Sequence, residues 1–297
     1  MEFYKNDKNM LVYLKEIINM LSRDGRPNLH NKISITWVRY KEEVPKCGDG
    51  FGASLSKDKI FYPASIIKLF YAVAAEVWIQ KNIIYENEEL LRAMSDMISE
   101  SSNDATSLIV DTLTGTNSGP SLPYEKFKIW KKQRLVINQW LTKFNWQEFK
   151  GINCCQKTWQ DGPYGREKDF YGKDNSNRNK LTTNSTARLL ESVMTGSLLS
   201  PKATRRQKKY LLRSNNLVKR SLNSNNQIDG FLGEGLSENT YIWSKAGWMS
   251  EVRHDAAWWS EKDSVTMMAV IFTQGKDLSE DDKLLPKIGK YLNEYEK

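Results

Sequence analysis

The chain has 297 residues, with 44 Lys and Arg against 36 Asp and Glu, and a net charge of +8. Apolar content of 39%, with ten Trp, thirteen Tyr and ten Phe, excludes a disordered chain and supplies a core for one large domain or two interleaved ones. Three cysteines, two of them adjacent (Cys47, Cys154, Cys155), exclude a disulfide framework, and two histidines leave no zinc spacing.

No segment approaches the ~20 apolar residues of a membrane span. The apolar run at 10–14 is broken by Lys15 and Glu16, so it does not read as a secretory leader. A reducing, cytoplasmic location with no membrane partner is therefore expected, and no metal or organic cofactor is implied. The positive charge points to an anionic partner: nucleic acid, an acidic surface or a carboxylate-bearing small molecule. It is densest at 126–134 and 202–209. The first patch interleaves lysines with aromatics, as single-strand binders do. A solvated helix face whose Phe127 and Trp130 pack inward is the expected account, so nucleic acid is not the expected partner.

Residues 7–22 place Leu11, Leu14, Ile17, Ile18 and Leu21 at the spacing of an amphipathic helix. Residues 32–38 alternate and are β-branched, which predicts a strand. A Cys-Gly-Asp-Gly turn at 47–50 leads to a second strand at 51–55, and a helix opens at Ser65. Two more helices follow at 90–98 and 104–113, the latter stopped by Gly115. Residues 116–185 are loop-rich around a helical middle in which Ile137, Trp140, Leu141 and Phe144 share a face. From 145 to 179 periodicity is weak, and a stretch that long is usually functional or disordered. Trp146, Phe149, Trp159, Tyr164 and Phe170 favour a packed loop. Thr182 or Thr183 caps a helix through Ala187, Leu190 and Val193. Three strands at 241–245, 254–259 and 265–272 and a helix at 280–295 close the chain.

This order predicts an α+β fold. Residues 1–61 and 236–297 would share one antiparallel sheet flanked by the terminal helices, with a mostly helical lobe, 62–235, inserted between them.

The helix at Ser65 carries the chemistry. Only Lys68 and Glu76 are charged between Ala64 and Ile79, and a helix without a polar face is buried. A lysine there must be paired or lose its proton. Ser65 lies one turn earlier on the same face, and a hydroxyl beside a desolvated amine is an activated nucleophile. Ser54/Lys57 and Ser56/Lys59 repeat the spacing in a polar turn, where the lysine would be solvated and useless as a base.

A nucleophile and base also need a proton shuttle, an oxyanion hole and a cation for the substrate. Ser101-Ser102-Asn103 follows a helix and offers a hydroxyl and a carboxamide two residues apart. Ser244-Lys245-Ala246-Gly247 lies on a predicted strand, where small residues after the lysine admit a substrate to the backbone. The backbone N–H groups of Ser65 and Trp248 would form the oxyanion hole.

In this order Ser65-x-x-Lys68, Ser101-x-Asn103 and Lys245-Ala246-Gly247 resemble the serine β-lactamase and penicillin-binding-protein superfamily, closest to class A β-lactamases. Supporting echoes are the Phe-Tyr-Pro-Ala-Ser lead-in, the Arg-Asn-Lys-Leu-Thr-Thr segment at 178–183 and the Arg-His-Asp-Ala-Ala strand at 253–257. The likeness spans roughly residues 30–275 and implies a β-lactamase/transpeptidase-like fold. It makes Ser65 the acylated nucleophile and Lys68 its base. Ser101 would carry a proton to the leaving nitrogen, Asn103 would hold the substrate amide, and Lys245 would support Ser101 and attract a carboxylate. Arg253 would either help draw that carboxylate or be a structural cation paired with Glu251 or Asp255.

The chain also departs from the pattern. The Glu-x-x-x-Asn element that activates the deacylating water in class A enzymes is missing its asparagine. Glu167 is the first candidate for that base, ahead of Asp161 and Asp169, and each is also readable as a surface carboxylate paired with Arg166 or Lys168. The interval from Ser65 to Ser101 is short, and Ala246 replaces the usual Thr or Ser. The expected function is a serine hydrolase acting on a β-lactam or related amide or ester, its small-molecule acyl substrate bearing a carboxylate. A penicillin-binding, peptidase- or esterase-like enzyme with poor lactam turnover, or a non-catalytic binder on the same scaffold, are the alternatives.

Overall fold

In the computed structural model, which describes residues 3–42, 44–223, 225–261 and 265–295, the chain divides into two compact units. Residues 1–66 and 182–297 form the first and residues 67–181 the second.

The first unit begins with β1 (Lys5–Asn6) and α1 (Lys8–Arg23). Asp7 caps α1 by accepting from the N–H groups of Asn9 and Met10 at 2.8 and 3.0 Å. The apolar stripe Met10, Leu14, Ile17, Ile18 and Leu21 is buried, as its spacing requires. A short α2 (Leu29–Lys32) leads into β2 (Ile33–Tyr40), β3 (Phe51–Leu55) and a 3-10 turn at Ala64–Ile66.

The second unit starts with α3 (Ile67–Gln80), whose residues from Ile67 to Trp78 are all buried. It continues with α4 (Glu88–Ser99) and α5 (Asn103–Thr114), capped by Asn87 and Ser102 respectively. Gly115 ends α5 with φ of 62°, a left-handed backbone that glycine adopts without Cβ strain. Then come α6 (Tyr124–Arg134), α7 (Val136–Thr142) and α8 (Gly165–Tyr171). On α6, Trp130 is buried and the half-buried Phe127 stacks on it, whereas Tyr124 at the start of the helix is exposed.

The chain returns to the first unit with α9 (Thr183–Met194), α10 (Pro201–Leu211), β4 (Leu212–Arg213) and α11 (Leu217–Ser221). The strands β5 (Tyr241–Met249), β6 (Val252–Ser260) and β7 (Thr266–Thr273) precede α12 (Lys276–Glu280) and α13 (Leu284–Glu294). Seven strands form one sheet in the order β1-β3-β2-β7-β6-β5-β4. Every pairing is antiparallel except β1 with β3. One face packs α1 and α13 through Leu14, Ile18, Ile35, Trp37, Trp259, Ile271, Leu285 and Ile288. On the other face Thr183 of α9 bonds Ser34 and Thr36 of β2 at 2.9 and 3.0 Å. Covered on both sides, β7 is buried at every position.

The α+β class and the antiparallel sheet with flanking terminal helices are as the sequence predicts. Three local expectations change. Residues 182–235 belong to the sheet unit, where Thr183 of α9 is bonded to β2. The 145–179 stretch contains α8, whose Glu167 and Phe170 are its buried residues. Tyr164, expected inside that stretch, is exposed.

Candidate active site

The lead-in to Ser65 is anchored within the sheet unit. His254 accepts from Thr273 N on Nδ1 at 3.1 Å, which places its proton on Nε2 to donate to Tyr62 O at 2.9 Å. Burial pulls this imidazole down to about 4, so it stays neutral. Gly247 of β5 meets the next residues: a Cβ there would lie 2.9 Å from Pro63 O and 3.0 Å from Ile66. No side chain fits between β5 and the turn that carries Ser65. Ala64, just before Ser65, has φ of 46°, a left-handed backbone that alanine rarely adopts. Backbone strain of this kind gathers where a side chain must be presented in one direction.

Lys68, three residues after Ser65, sits in the first turn of α3 and is fully buried. Its Nζ donates to Ser101 O at 2.5 Å, to Asn103 Oδ1 at 2.8 Å and to Ser101 Oγ at 3.3 Å. All three acceptors are uncharged. Burial therefore acts unopposed and lowers the amine to about 7. Ser101 also has a left-handed backbone, φ 55°, which turns its carbonyl and hydroxyl to the same ammonium. Asn103 opens α5, and its Oδ1 takes a second bond, from Thr158 Oγ1 at 2.7 Å. Both of these neighbours occupy the carboxamide oxygen, which leaves the NH2 end as the donor.

Glu167 belongs to a different cluster of the same unit. Its Oε1 accepts from Arg134 Nη2 at 2.6 Å and Ser118 Oγ at 2.9 Å, with Lys157 Nζ at 3.8 Å. Both Arg134 and Glu167 are wholly buried. Lys157 also donates to Asp111 Oδ2 and Ser118 Oγ, each at 2.7 Å. Glu167 is thus neither a surface carboxylate nor a partner of Arg166 or Lys168. Asp161 and Asp169 are exposed.

In the sheet unit Lys245 is fully buried, and its Nζ donates to Gln227 Oε1 at 2.5 Å and to Ala246 O at 2.8 Å. The same Oε1 accepts from Ala246 N at 3.2 Å. Strand alternation puts Lys245 with Gly247 on the face that carries the Ser65 turn, and Ala246 with Trp248 on the core face. Trp248 is exposed at the strand end, its indole N–H bonded to Ser279 O at 3.0 Å.

Arg253 requires a correction. It pairs with Trp248 across the ladder, which directs it to the core face, opposite Lys245 and Gly247. There its Nε donates to Ser279 O at 3.0 Å and its Nη1 to Gly230 O at 3.3 Å, between the rings of Phe231 and Trp248. Carbonyls and rings hold it, in place of the pairing with Glu251 or Asp255 that the sequence offered. Asp255 instead accepts from Leu232 N at 3.0 Å, and burial raises its carboxyl to about 7.

Hydrogen bonds bring Lys68, Ser101 and Asn103 together. Thr158 and Gln227 were missed: each lies in irregular chain, and each acts through side-chain bonds to distant residues that leave no periodic signal.

Residues 78–295 match the Beta-lactamase enzyme family, and the chain belongs to that family. No curated protein matches the sequence. The fold is shared with the solved structure of PBP-A, at 15% identity and a TM-score of 0.64 over 99% of this chain and 97% of that one. A β-lactamase from Chitinophaga pinensis matches at 13% identity and 0.64, covering 95% and 97%. One from Burkholderia vietnamiensis matches at 11% and 0.63, covering 93% and 94%. A mutant of PBP-A captured as the acyl-enzyme with penicillin G matches at 16% and 0.66, covering 99% and 98%.

Proposed function

We propose that this chain is a serine hydrolase that forms an acyl-enzyme on Ser65, with a β-lactam or a related carboxylate-bearing amide or ester as the acyl donor. The observation that carries the reading is the Lys68 amine, lowered to about 7 by burial among uncharged acceptors. An amine half deprotonated near neutral pH is matched to general-base work. Lys68 takes the Ser65 proton, directly or through a relay, as Oγ attacks the carbonyl carbon. The N–H groups of Ser65 and Trp248 receive the oxyanion. On collapse the C–N or C–O bond breaks, and Ser101 delivers a proton to the leaving atom. Asn103 donates its NH2 to the substrate amide, and Lys245 attracts the carboxylate.

Within this reading, slow deacylation is favoured over rapid lactam turnover. The support is Glu167, whose carboxylate is committed to Arg134 and fully buried. The loop residue beside Asn103 is the neutral Thr158, which has no basicity to activate water. The acyl-enzyme of the PBP-A mutant supports the acylation half of the reading by likeness of fold.

The test is intact mass after exposure to a penicillin. The wild type should gain one adduct that persists for many turnover times, and Ser65→Ala should gain none. Equal labelling of both would overturn the catalytic reading and favour a binding protein. Rapid loss of the adduct would overturn slow deacylation alone.

A further inference from the structure

Between Glu191 and Asp229 the sequence carries eight Lys and Arg and no carboxylate. That equals the chain's whole net charge of +8, so the remainder is balanced. The stretch forms α10, β4 and α11, and β4 is the last strand of the sheet. Arg213 and Arg220 serve the fold. Arg213 donates to Tyr210 O and Ser244 O, and Arg220 pairs with Asp229. Arg205 and Lys209, on one face of α10, and Lys219 on α11 are exposed.

Apolar side chains are exposed in the same stretch of chain. No residue of α11 is buried, although it displays Leu217 at 59% and Val218 at 68%, and Leu222 follows at 84%. Leu212 on β4 is exposed and pairs across the ladder with Trp243, on which the exposed Tyr241 stacks. Aliphatic side chains this exposed need a reason, and the cations of the same stretch supply one.

We propose that the α10–β4–α11 edge is a docking surface for an anionic lipid bilayer. Lysine and arginine are drawn to acidic headgroups, while Leu217, Val218 and Leu222 enter the headgroup–acyl boundary. On and beside α11 the exposed side chains Leu217, Val218 and Leu222 are aliphatic, which favours lipid over nucleic acid, whose binders present stacked aromatics along a basic groove. Among the described residues no helix is long and apolar enough to cross a membrane, and the contact proposed is with the bilayer surface. This departs from the expectation of no membrane partner and is independent of the acylation chemistry.

The test is co-sedimentation of the full chain with vesicles of phosphatidylcholine alone or mixed with phosphatidylglycerol. Tenfold or greater preference for the anionic vesicles is expected, weakening as salt rises. Arg205→Glu with Lys209→Glu and Lys219→Glu should abolish that preference. Leu217→Ser with Leu222→Ser should cut binding severalfold while the charge is unchanged. Lys128→Glu with Lys131→Glu and Lys132→Glu on α6 serves as the equally basic control and should leave binding intact. Unaltered circular dichroism confirms that each variant is folded. Equal binding to both vesicle types, an equal loss in the α6 control, or binding to single-stranded RNA without vesicle association would each overturn the proposal.

Discussion

Lys157 and Thr158 are neighbours in the chain that serve two different polar clusters. Lys157 bonds Asp111 and Ser118 beside Glu167, and Thr158 bonds the carboxamide of Asn103 beside Lys68. The charged groups therefore neutralise one another in one place, while Lys68 is left among uncharged oxygens. A carboxylate admitted to the second cluster would restore the ammonium and remove the base.

The first prediction follows from that partition. Labelling of Ser65 should accelerate as pH rises through about 7, where Lys68 loses its proton. In Thr158→Asp the new carboxylate should move that midpoint upward, because it favours the charged amine. The check is labelling rate against pH for both proteins. A flat profile, or an unmoved midpoint in the variant, would contradict the assignment of Lys68 as base. The same depressed amine makes folding stability climb with pH between about 7 and its ordinary value of 10.5, since only the unfolded chain still binds the proton there.

Glu167 should prove structural. Glu167→Gln leaves buried Arg134 with only the longer contact to Asp111, at 3.3 Å, as counter-charge, so the loss should lie below the value of about 3–5 kcal/mol for a fully broken buried pair. Thermal unfolding should fall accordingly, while the lifetime of the Ser65 adduct stays at the wild-type value. Were this carboxylate the base that activates water, the glutamine variant would instead hold its adduct far longer. Replacing both partners by apolar residues, Arg134→Met with Glu167→Leu, should recover much of the stability.

Legibility from sequence followed periodicity and burial. The apolar α3, the capped α9 and the three C-terminal strands were readable because each repeats a local pattern over many residues. The two-residue strands β1 and β4 were not, since two residues have no period. In the site, Ser65, Lys68, Ser101 and Asn103 stood out because a charge interrupts an apolar helix and short polar motifs follow in order. Gln227 lies 18 residues before the lysine it touches, in an Asn- and Ser-rich turn with φ of 56°. A contact of that kind is a property of the closed loop, not of its composition. The face on which Arg253 lies was hidden for another reason: alternation fixes a side only once the register with Trp248 is known.

Lys245 and Arg253, the two basic candidates on β5 and β6, should separate cleanly. Arg253→Gln removes bonds to two carbonyls and a place between two rings, so it should lower stability with no change in preference for carboxylate-bearing donors. Lys245→Met should erase that preference, measured as labelling by a free acid against its methyl ester. If Arg253→Gln discriminates between acid and ester as Lys245→Met does, the face assignment is wrong in its functional consequence.

His254 and Asp255 are adjacent on β6 and should make opposite contributions to stability across mildly acid pH. The folded imidazole, at about 4 against an ordinary 6.5, binds no proton in a range where the unfolded chain does. Its contribution therefore grows as pH rises from about 4 to 6.5. The folded carboxyl, at about 7 against 3.8, keeps a proton that the unfolded chain has released. Its contribution shrinks as pH rises from 3.8 to about 7. The two slopes nearly cancel, so these neighbours together leave wild-type stability close to level in that window. Removing either one exposes the other. Asp255→Asn should become more stable as pH climbs, and His254→Gln should become less stable over the same interval. Urea midpoints across the window read the sign directly, and parallel slopes in the two variants would show that neither group is held as its burial requires.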